Sequence, residues 1–140
     1  MHENFFHNVK VYYEDTDAGG IVYYANYLKY LERARTEALS TIGLSNLKIK
    51  DKFGAQIIVK SCNIEYKKPA HLEDELKIRS FIKSVTKTSF YMNQIITNAE
   101  STIVEAQVHL VFVNEKNKPV KVPEIIFDNF KPYFCDSIKL

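Results

Sequence analysis

Residues 12–37 read YYEDTDAGGIVYYANYLKYLERARTE, and this segment decides the architecture of the chain because it joins an acidic loop to the longest helical pattern. Asp17 lies in the loop, Gly19 and Gly20 follow it, and Tyr24 stands seven residues beyond Asp17, where the helical pattern begins. The first backbone N–H groups of a helix have no partner inside the helix and can bind an anion. A carboxylate held just before such a helix start is the outline of a catalytic site.

The helical pattern predicts a helix over residues 25–42, about 27 Å long and able to cross a small domain. With Leu28 as the zero position of a helical wheel stepped by about 100° per residue, one arc of about 140° gathers most of the apolar side chains. The other members of this arc are Tyr24, Tyr27, Leu31, Ala34, Ala38, Leu39 and Ile42. We expect the arc to face the core, and Gly43 to end the helix.

Arg35 falls inside the same apolar arc. A buried arginine needs a partner, and Glu32, three residues earlier, is expected to form an ion pair with it. The alternative is that Glu32 is itself a catalytic carboxylate carried by the helix.

From residue 55 onward apolar and polar residues alternate with a period of two, which is typical of β-strands. Strands are predicted over residues 55–66, 76–83, 90–96 and 104–112, after a short first strand over residues 9–14. Residues 44–54 predict a loop or a single helical turn, and residues 122–134 predict a final short helix that caps the sheet or faces another subunit. This order predicts one α+β domain over residues 1–140, in which an antiparallel sheet curls around the long helix.

The composition argues against several classes of protein. A net charge of +2 on 140 residues is too small to predict nucleic-acid binding. The two cysteines and four histidines have no spacing typical of disulfide frameworks or metal sites, so neither is expected. No apolar run approaches the roughly 20 residues of a membrane span, and the N-terminus does not resemble a signal peptide. We therefore expect a cytoplasmic protein.

Three motifs follow one another along the chain: DTDAGGIVY at residues 15–23, ANY at residues 25–27 and ERAR at residues 32–35. Together with the Pro69–Ala70 turn and Asp74, they resemble the hotdog-fold acyl-CoA thioesterases over nearly the whole chain. Within these enzymes the chain is most similar to the YbgC-like branch, which is associated with the bacterial Tol-Pal envelope system. It is also similar to 4-hydroxybenzoyl-CoA thioesterase, with which it shares GIV at residues 20–22, NY at 26–27 and SCN at 61–63.

The resemblance implies a hotdog fold, a long central helix wrapped by a five-stranded antiparallel sheet. It implies a homodimer formed through the sheets, with two sites at the dimer interface and further assembly to a homotetramer. Asp17 is the catalytic residue that it implies, and coenzyme A (CoA) enters as part of the substrate, with no separate cofactor. Tyr24 stands where many YbgC-like enzymes have histidine, so the role of that histidine is not transferred. The acyl preference stays open between short-chain aliphatic and aromatic groups.

Thioester hydrolysis needs an attacking oxygen and a site for the oxyanion, but no dedicated general acid, because a thiol of pKa about 8.5 is a good leaving group. Asp17 can attack the carbonyl itself or deprotonate an attacking water, and the sequence does not choose. The N–H groups near Tyr24 and Ala25 are expected to bind the oxyanion. Gly19 and Gly20 leave room for the substrate, and Tyr13 orients the carboxylate or lines the acyl pocket.

The phosphates of CoA require cations near the mouth of the site. Lys83, Lys87 and Ser89, around one predicted hairpin, are the candidates, with Lys60 a weaker one. Their alternative role is that of ordinary solvated hairpin residues. Acyl-carrier protein can replace CoA as the carrier.

A second functional class is a non-hydrolytic acyl-binding or scaffold protein at an envelope-associated complex, with a peripheral position at the inner membrane. An intact Asp17 favours the enzyme, because a binding protein has no evident use for a carboxylate beside an oxyanion site. A hotdog hydratase is the weakest alternative, because Val22 stands where its histidine is expected.

Overall fold

The computed structural model describes residues 2–135. In chain order the helices and strands are β1 (Phe5–Lys10), α1 (Asn26–Thr41), α2 (Asn46–Phe53), β2 (Gln56–Tyr66), β3 (Glu75–Val85), β4 (Ser89–Thr97), β5 (Thr102–Val113) and α3 (Glu124–Phe130). All strand pairs are antiparallel, and the sheet order is β1-β3-β4-β5-β2. The predicted α+β architecture with one five-stranded antiparallel sheet is therefore confirmed.

Several boundaries differ from the prediction. β1 begins four residues earlier than expected, and residues Tyr13–Asp15 form a 3-10 turn instead of the end of the strand. Residues 46–53 form a helix of two turns, because the Ser45 hydroxyl caps its start and Gly54 takes the left-handed conformation that ends it. The expected final helix is confirmed as α3.

The end of α1 follows the predicted signal. Gly43 has a φ of 78°, its N–H donates to the carbonyl of Ser40, and the Leu44 N–H donates to that of Leu39. A glycine adopts this left-handed conformation without a Cβ penalty. The predicted stop at Gly43 is confirmed.

The buried face of α1 is rotated relative to the predicted arc. Five members of the arc are buried: Tyr27, Leu31, Ala34, Ala38 and Leu39. Leu28 and Tyr24, also in the arc, are 46% and 60% exposed, whereas Tyr30, outside the arc, is 1% exposed. The helix packs chiefly against β1 and β3. A helical wheel weighs apolar residues without knowing which part of the sheet the helix crosses, so the predicted arc was wrong at Tyr24, Leu28 and Tyr30 while most of its members are buried as predicted.

The predicted ion pair between Glu32 and Arg35 is wrong for the part of the chain that the structure describes. Arg35 Nη1 donates to Gln94 Oε1 at 2.9 Å, and Glu32 Oε2 accepts from the Thr36 hydroxyl at 2.6 Å. Gln94 is fully buried on β4. Burial lowers the pKa of Arg35, and the nearby Glu32 charge opposes this shift. The partner was missed because it lies 59 residues away in the sequence.

Two clusters of buried apolar side chains hold α1 on the sheet. The cluster nearer to the acidic loop contains Val11 and Val22, at the two ends of the loop, together with Tyr27, Tyr30 and Leu31 of α1. Full burial of such a side chain contributes about 1.5–3 kcal/mol. The loop that carries Asp17 is therefore anchored at both ends. The other cluster includes Ile126 and Phe130, so α3 covers that end of the core.

Across residues 2–135, no helix is both long enough and apolar enough to span a membrane.

Candidate active site

The loop between β1 and α1 is a compact turn held by backbone hydrogen bonds. The Asp17 N–H donates to the carbonyl of Ile21 at 2.9 Å, and the Gly20 N–H donates to that of Asp17 at 3.1 Å. Gly20 has a φ of 77°, which favours glycine. Ala70 braces the loop from the connection before β3, because its carbonyl accepts from the Val22 N–H and its N–H donates to the Tyr27 hydroxyl.

Asp17 is exposed, and one of its carboxylate oxygens is engaged by the loop. The Gly19 N–H donates to Asp17 Oδ1 at 2.8 Å, and no partner within residues 2–135 occupies Oδ2. A Cβ at Gly19 would lie 3.3 Å from Oδ1. The turn therefore orients the carboxylate through one oxygen and leaves the other free to act as a nucleophile or a base.

The start of α1 leaves two adjacent N–H groups free. Asn26 N–H donates to the carbonyl of Tyr23, but the backbone N–H groups of Tyr24 and Ala25 have no acceptor in the described range. Ala25 occupies the N-cap position and has no side-chain oxygen to cap the helix. These two donors, at the positive end of the helix dipole, can bind an oxyanion.

Tyrosine side chains surround this helix start. The ring of Tyr24 lies 5.1 Å from that of Tyr23 and meets Tyr66 edge-on at 6.0 Å. Tyr66, at the end of β2, is 44% exposed and is not among the predicted site residues; only its position three residues before the Pro69–Ala70 turn could have indicated it. Tyr13 is 81% exposed, and no hydrogen bond of the described residues joins it to Asp17.

The predicted CoA-binding residues lie around the β3–β4 hairpin. Lys83 is half-buried beside a β-bulge, and Lys87 is exposed at the turn. Ser89 is only 4% exposed, and its hydroxyl lies 2.6 Å from Thr86 Oγ1 and 2.8 Å from His109 Nε2. Ser89 therefore orders the hairpin turn, and its hydroxyl does not face solvent.

Within one chain, Lys83 and Lys87 do not lie beside Asp17. The loop meets the beginning of β3, where Val11 N–H donates to the carbonyl of Asp74. Lys83 lies nine residues further along the strand, a path of roughly 30 Å at about 3.3 Å per residue. The hairpin therefore lies at the opposite end of β3 from the carboxylate.

β2 forms one edge of the sheet, and among the strands of residues 2–135 it pairs only with β5. Its eleven residues are mostly exposed, including Ile58, Val59 and Cys62. A long apolar edge strand is a template for pairing with another chain.

The described residues contain no group of three or more His, Cys, Asp or Glu side chains close enough to hold a metal ion. An apolar cavity of about 130 Å³ lies between α1 and the sheet, with Arg35 and Glu32 among its lining residues. Its lining does not include the Asp17 loop.

Residues 11–130 match the sequence model of the thioesterase-like superfamily. The chain is 44% identical to the acyl-CoA thioester hydrolase YbgC of Escherichia coli over 125 residues, which is 88% of this chain and 92% of that protein. Among solved structures it is similar to a probable thioesterase from Bartonella henselae, with a TM-score of 0.83, 31% identity, and coverage of 86% of this chain and 100% of that one. A mutant 4-hydroxybenzoyl-CoA thioesterase in complex with 4-hydroxybenzoyl-CoA has a TM-score of 0.86 at 21% identity, with coverage of 91% and 98%, and supports the fold.

Proposed function

This chain belongs to the thioesterase-like superfamily and hydrolyses acyl-CoA thioesters, and on that premise we propose that Asp17 is its catalytic carboxylate and that the N–H groups of Tyr24 and Ala25 form its oxyanion site. The observation that carries this proposal is the pairing of a carboxylate held by its own turn with two uncapped N–H groups at the start of α1.

In the proposed reaction the thioester carbonyl oxygen accepts hydrogen bonds from Tyr24 and Ala25, which stabilise the negative charge as it develops. Loss of one such donor typically lowers the rate about 100- to 1000-fold. In one route Asp17 Oδ2 attacks the carbonyl carbon, the C–S bond breaks, and water hydrolyses the resulting anhydride. In the other route Asp17 takes a proton from water as that water attacks, and the C–S bond breaks from the tetrahedral intermediate. Both release the free acid and the thiol.

Single-turnover hydrolysis in ¹⁸O-labelled water tests the direct route. If water attacks the Asp17 carbonyl carbon of the anhydride, ¹⁸O enters Asp17 and the product keeps an unlabelled Asp17 oxygen, so label in Asp17 identifies direct attack. If water attacks the acyl carbon of the anhydride, Asp17 stays unlabelled and the product carries one ¹⁸O, as it does with a general base. Mass spectrometry of the quenched enzyme distinguishes these last two cases, because only the direct route forms an acyl adduct on Asp17.

The central test measures thiol release from short aliphatic, long aliphatic and aromatic acyl-CoAs. We expect wild type to prefer a small acyl group, and Asp17→Asn to lower kcat by more than about 100-fold on the best substrate. Asp128→Asn, an exposed aspartate of α3 paired with Lys131, is the matched control and should keep wild-type rates. Substrate binding without thiol release by wild type would instead favour the non-hydrolytic acyl-binding or scaffold function.

We propose further that the active form is a homo-oligomer, at least a dimer, in which Lys83 and Lys87 of one copy bind CoA at the Asp17 site of another. The separation of the lysines from Asp17 along β3 and the exposed edge strand β2 support this arrangement. We propose that Ser89 contributes indirectly, because its hydroxyl orders the hairpin that carries Lys83 and Lys87.

Mixed oligomers test this sharing of the site. Asp17→Asn subunits and subunits carrying Lys83→Ala with Lys87→Ala are each expected to be defective. Unfolded together and refolded as a mixture, they should regain sites with both intact parts, and the KM for acyl-CoA should return to its wild-type value. If both parts come from one chain, mixing restores nothing. A pantetheine thioester, which lacks the nucleotide phosphates, should show no KM change in the lysine variant.

The proposed hydrolysis uses no metal or cofactor, and we expect full activity after dialysis against a chelator. Two further points stay predictions. One is that acyl-carrier protein is the natural carrier; the other is a cytoplasmic location, with a peripheral position at the inner membrane as its alternative. Comparing acyl-CoA with acyl-carrier-protein substrates tests the first, and cell fractionation tests the second.

A further inference from the structure

The carbonyl oxygen of Asp15 connects the acidic loop to the start of α1. It accepts two hydrogen bonds, from the Tyr23 N–H at 3.0 Å and from Asn26 Nδ2 at 2.8 Å. The first donor belongs to the backbone, whereas the second is the side chain of the first residue of α1. The Asn26 side chain therefore joins the loop to the first residue of α1, beside the backbone hydrogen bond from Tyr23.

This connection surrounds both halves of the proposed site. Asp15 lies two residues before Asp17, while Tyr23 and Asn26 directly flank Tyr24 and Ala25 in the sequence. The Asn26 N–H also donates to the carbonyl of Tyr23 at 2.8 Å, which closes the turn that contains the two free donors. A change in the Asn26 contact therefore alters the distance between the carboxylate and the donors.

The rest of Asp15 is also held. Its Oδ2 accepts from the Tyr12 N–H at 2.9 Å, and Tyr30 lies buried beneath it with no hydrogen-bond partner of good geometry in the described residues. Burial, and then the Asp15 carboxylate, raise the pKa of Tyr30, so its hydroxyl stays protonated beside Asp15. Both the backbone carbonyl and the carboxylate of Asp15 therefore accept hydrogen bonds from neighbouring residues, and the carbonyl is the group on which Asn26 acts.

We propose that Asn26 is a positioning residue for the hydrolysis, which acts through the Asp15 carbonyl to hold Asp17 at a fixed distance from the Tyr24 and Ala25 N–H groups. This inference rests on the proposed function. Asn26 is half-buried, and its amide nitrogen is already committed to Asp15, so it does not need to touch the substrate.

A displacement of about 1 Å between reacting groups can cost roughly 100-fold in rate. We therefore expect Asn26→Ala to lower kcat by roughly 100-fold while KM stays within about twofold of wild type. Asn98→Ala is the matched control, because the Asn98 side chain likewise holds a turn, accepting from the Glu100 and Ser101 N–H groups, and no hydrogen bond of the described residues joins it to the Asp17 loop. Asn98→Ala should lose about as much free energy of unfolding as Asn26→Ala and keep the wild-type kcat.

The pH dependence of kcat in Asn26→Asp distinguishes a positioning role from a purely structural one. A carboxylate at position 26 repels the Asp15 carbonyl, whereas the protonated carboxyl can donate to it. The kcat of this variant relative to wild type at the same pH should therefore rise as pH falls, while the relative kcat of Asn26→Ala stays constant. Equal pH dependence of the two variants would contradict the proposal.

The Asp17→Asn variant separates failure of this inference from failure of the proposed function. If Asp17→Asn keeps wild-type activity, the proposed site is wrong. If Asp17→Asn is inactive while Asn26→Ala keeps its kcat, or Asn98→Ala loses as much, only the positioning role is wrong. In an Asp17→Asn background, Asn26→Ala should cost far less than in wild type, because it acts through the carboxylate.

Discussion

Gly19 and Asp17 are joined by one short contact: the Gly19 N–H donates to Asp17 Oδ1 at 2.8 Å, and a Cβ at Gly19 would stand 3.3 Å from the same oxygen. Gly19 therefore binds the carboxylate and also leaves the space in which it lies. The backbone of Gly19 is not in the left-handed region, so alanine can adopt it without strain.

We expect Gly19→Ala to displace the Asp17 carboxylate by a few tenths of an ångström and to lower kcat roughly tenfold. Its free energy of unfolding should not fall, because alanine reduces the entropy of the unfolded chain by an equivalent of about 0.4–1 kcal/mol. Steady-state kinetics and urea unfolding on the same preparation measure both quantities.

Gly20→Ala is the control for this prediction. No atom of residues 2–135 lies within 4 Å of a Cβ at Gly20, but its φ of 77° is strained for alanine. This variant should lose about 1–2 kcal/mol of stability. A Gly19→Ala enzyme that is as active as wild type would show that the contact with Asp17 has no effect on catalysis.

Gln94 holds the partly buried charge of Arg35. Its Oε1 accepts from Arg35 Nη1, and its Nε2 donates to the Leu31 carbonyl at 3.1 Å and to the Ser80 hydroxyl at 3.0 Å. Gln94→Leu should lower the free energy of unfolding by about 2–4 kcal/mol, because a guanidinium and two buried polar groups lose their partner.

Urea unfolding measures this loss, and Gln107→Leu is its control. Gln107 is half-buried on β5 and makes one long hydrogen bond, to Asn93 at 3.3 Å. The control should lose less than about 1 kcal/mol. Equal losses of unfolding free energy in the two variants would mean that the hydrogen bonds of Gln94 to Arg35, Leu31 and Ser80 stabilise the fold no more than the single bond of Gln107.

The exposed edge of β2 should form the contact between copies of the chain. We expect wild type to show a mass in solution of at least twice the 16.3 kDa of one chain. Ile58→Lys combined with Val59→Lys places two charges on this edge and should shift the protein toward the monomer. Light scattering after size-exclusion chromatography gives the masses.

The same double variant should lose most of its activity, since the proposed site needs residues of two copies. Leu47→Lys, an exposed leucine of α2, is the control and should keep both mass and activity. A monomeric variant with wild-type kcat and KM would contradict the shared site.

His109 predicts a pH effect on stability. Burial, and then the charge of Lys60, lower its pKa; it stacks on Tyr91 and lies 2.8 Å from the Ser89 hydroxyl. Because the folded pKa lies below the unfolded value of about 6.5, the unfolded chain binds the proton more readily. Protonation therefore favours unfolding, and stability should fall as pH drops below about 6.5.

Unfolding of wild type and His109→Gln between pH 8 and pH 5 measures this effect. The difference between the two proteins isolates His109 from the carboxylates that titrate in the same range. The variant should show the smaller loss at acid pH. Parallel curves would mean that His109 does not contribute to the pH dependence.

The acidic loop and the helix after it were predictable because their signals are local. Gly43 marks the end of α1, and the spacing from Asp17 to Tyr24 places a carboxylate just before a helix start. Residues 46–53 were underestimated because their apolar pattern is short, although Ser45 and Gly54 are ordinary cap signals. Asn26 belongs to the ANY motif, but the sequence does not indicate its role, because its partner is a backbone carbonyl that no side-chain pattern reveals.

The sequence by itself determined the element types, the antiparallel sheet, and the Asp17 turn beside the helix start, since dihedral preferences and hydrophobic periodicity act between residues close in the chain. Only the tertiary structure decided that Arg35 binds Gln94, that Tyr30 is buried while Leu28 is not, and that the β3–β4 hairpin lies at the far end of β3 from Asp17. These relationships depend on which part of the sheet α1 crosses and on pairing between distant strands. Packing of the whole chain sets both, and no local spacing contains that information.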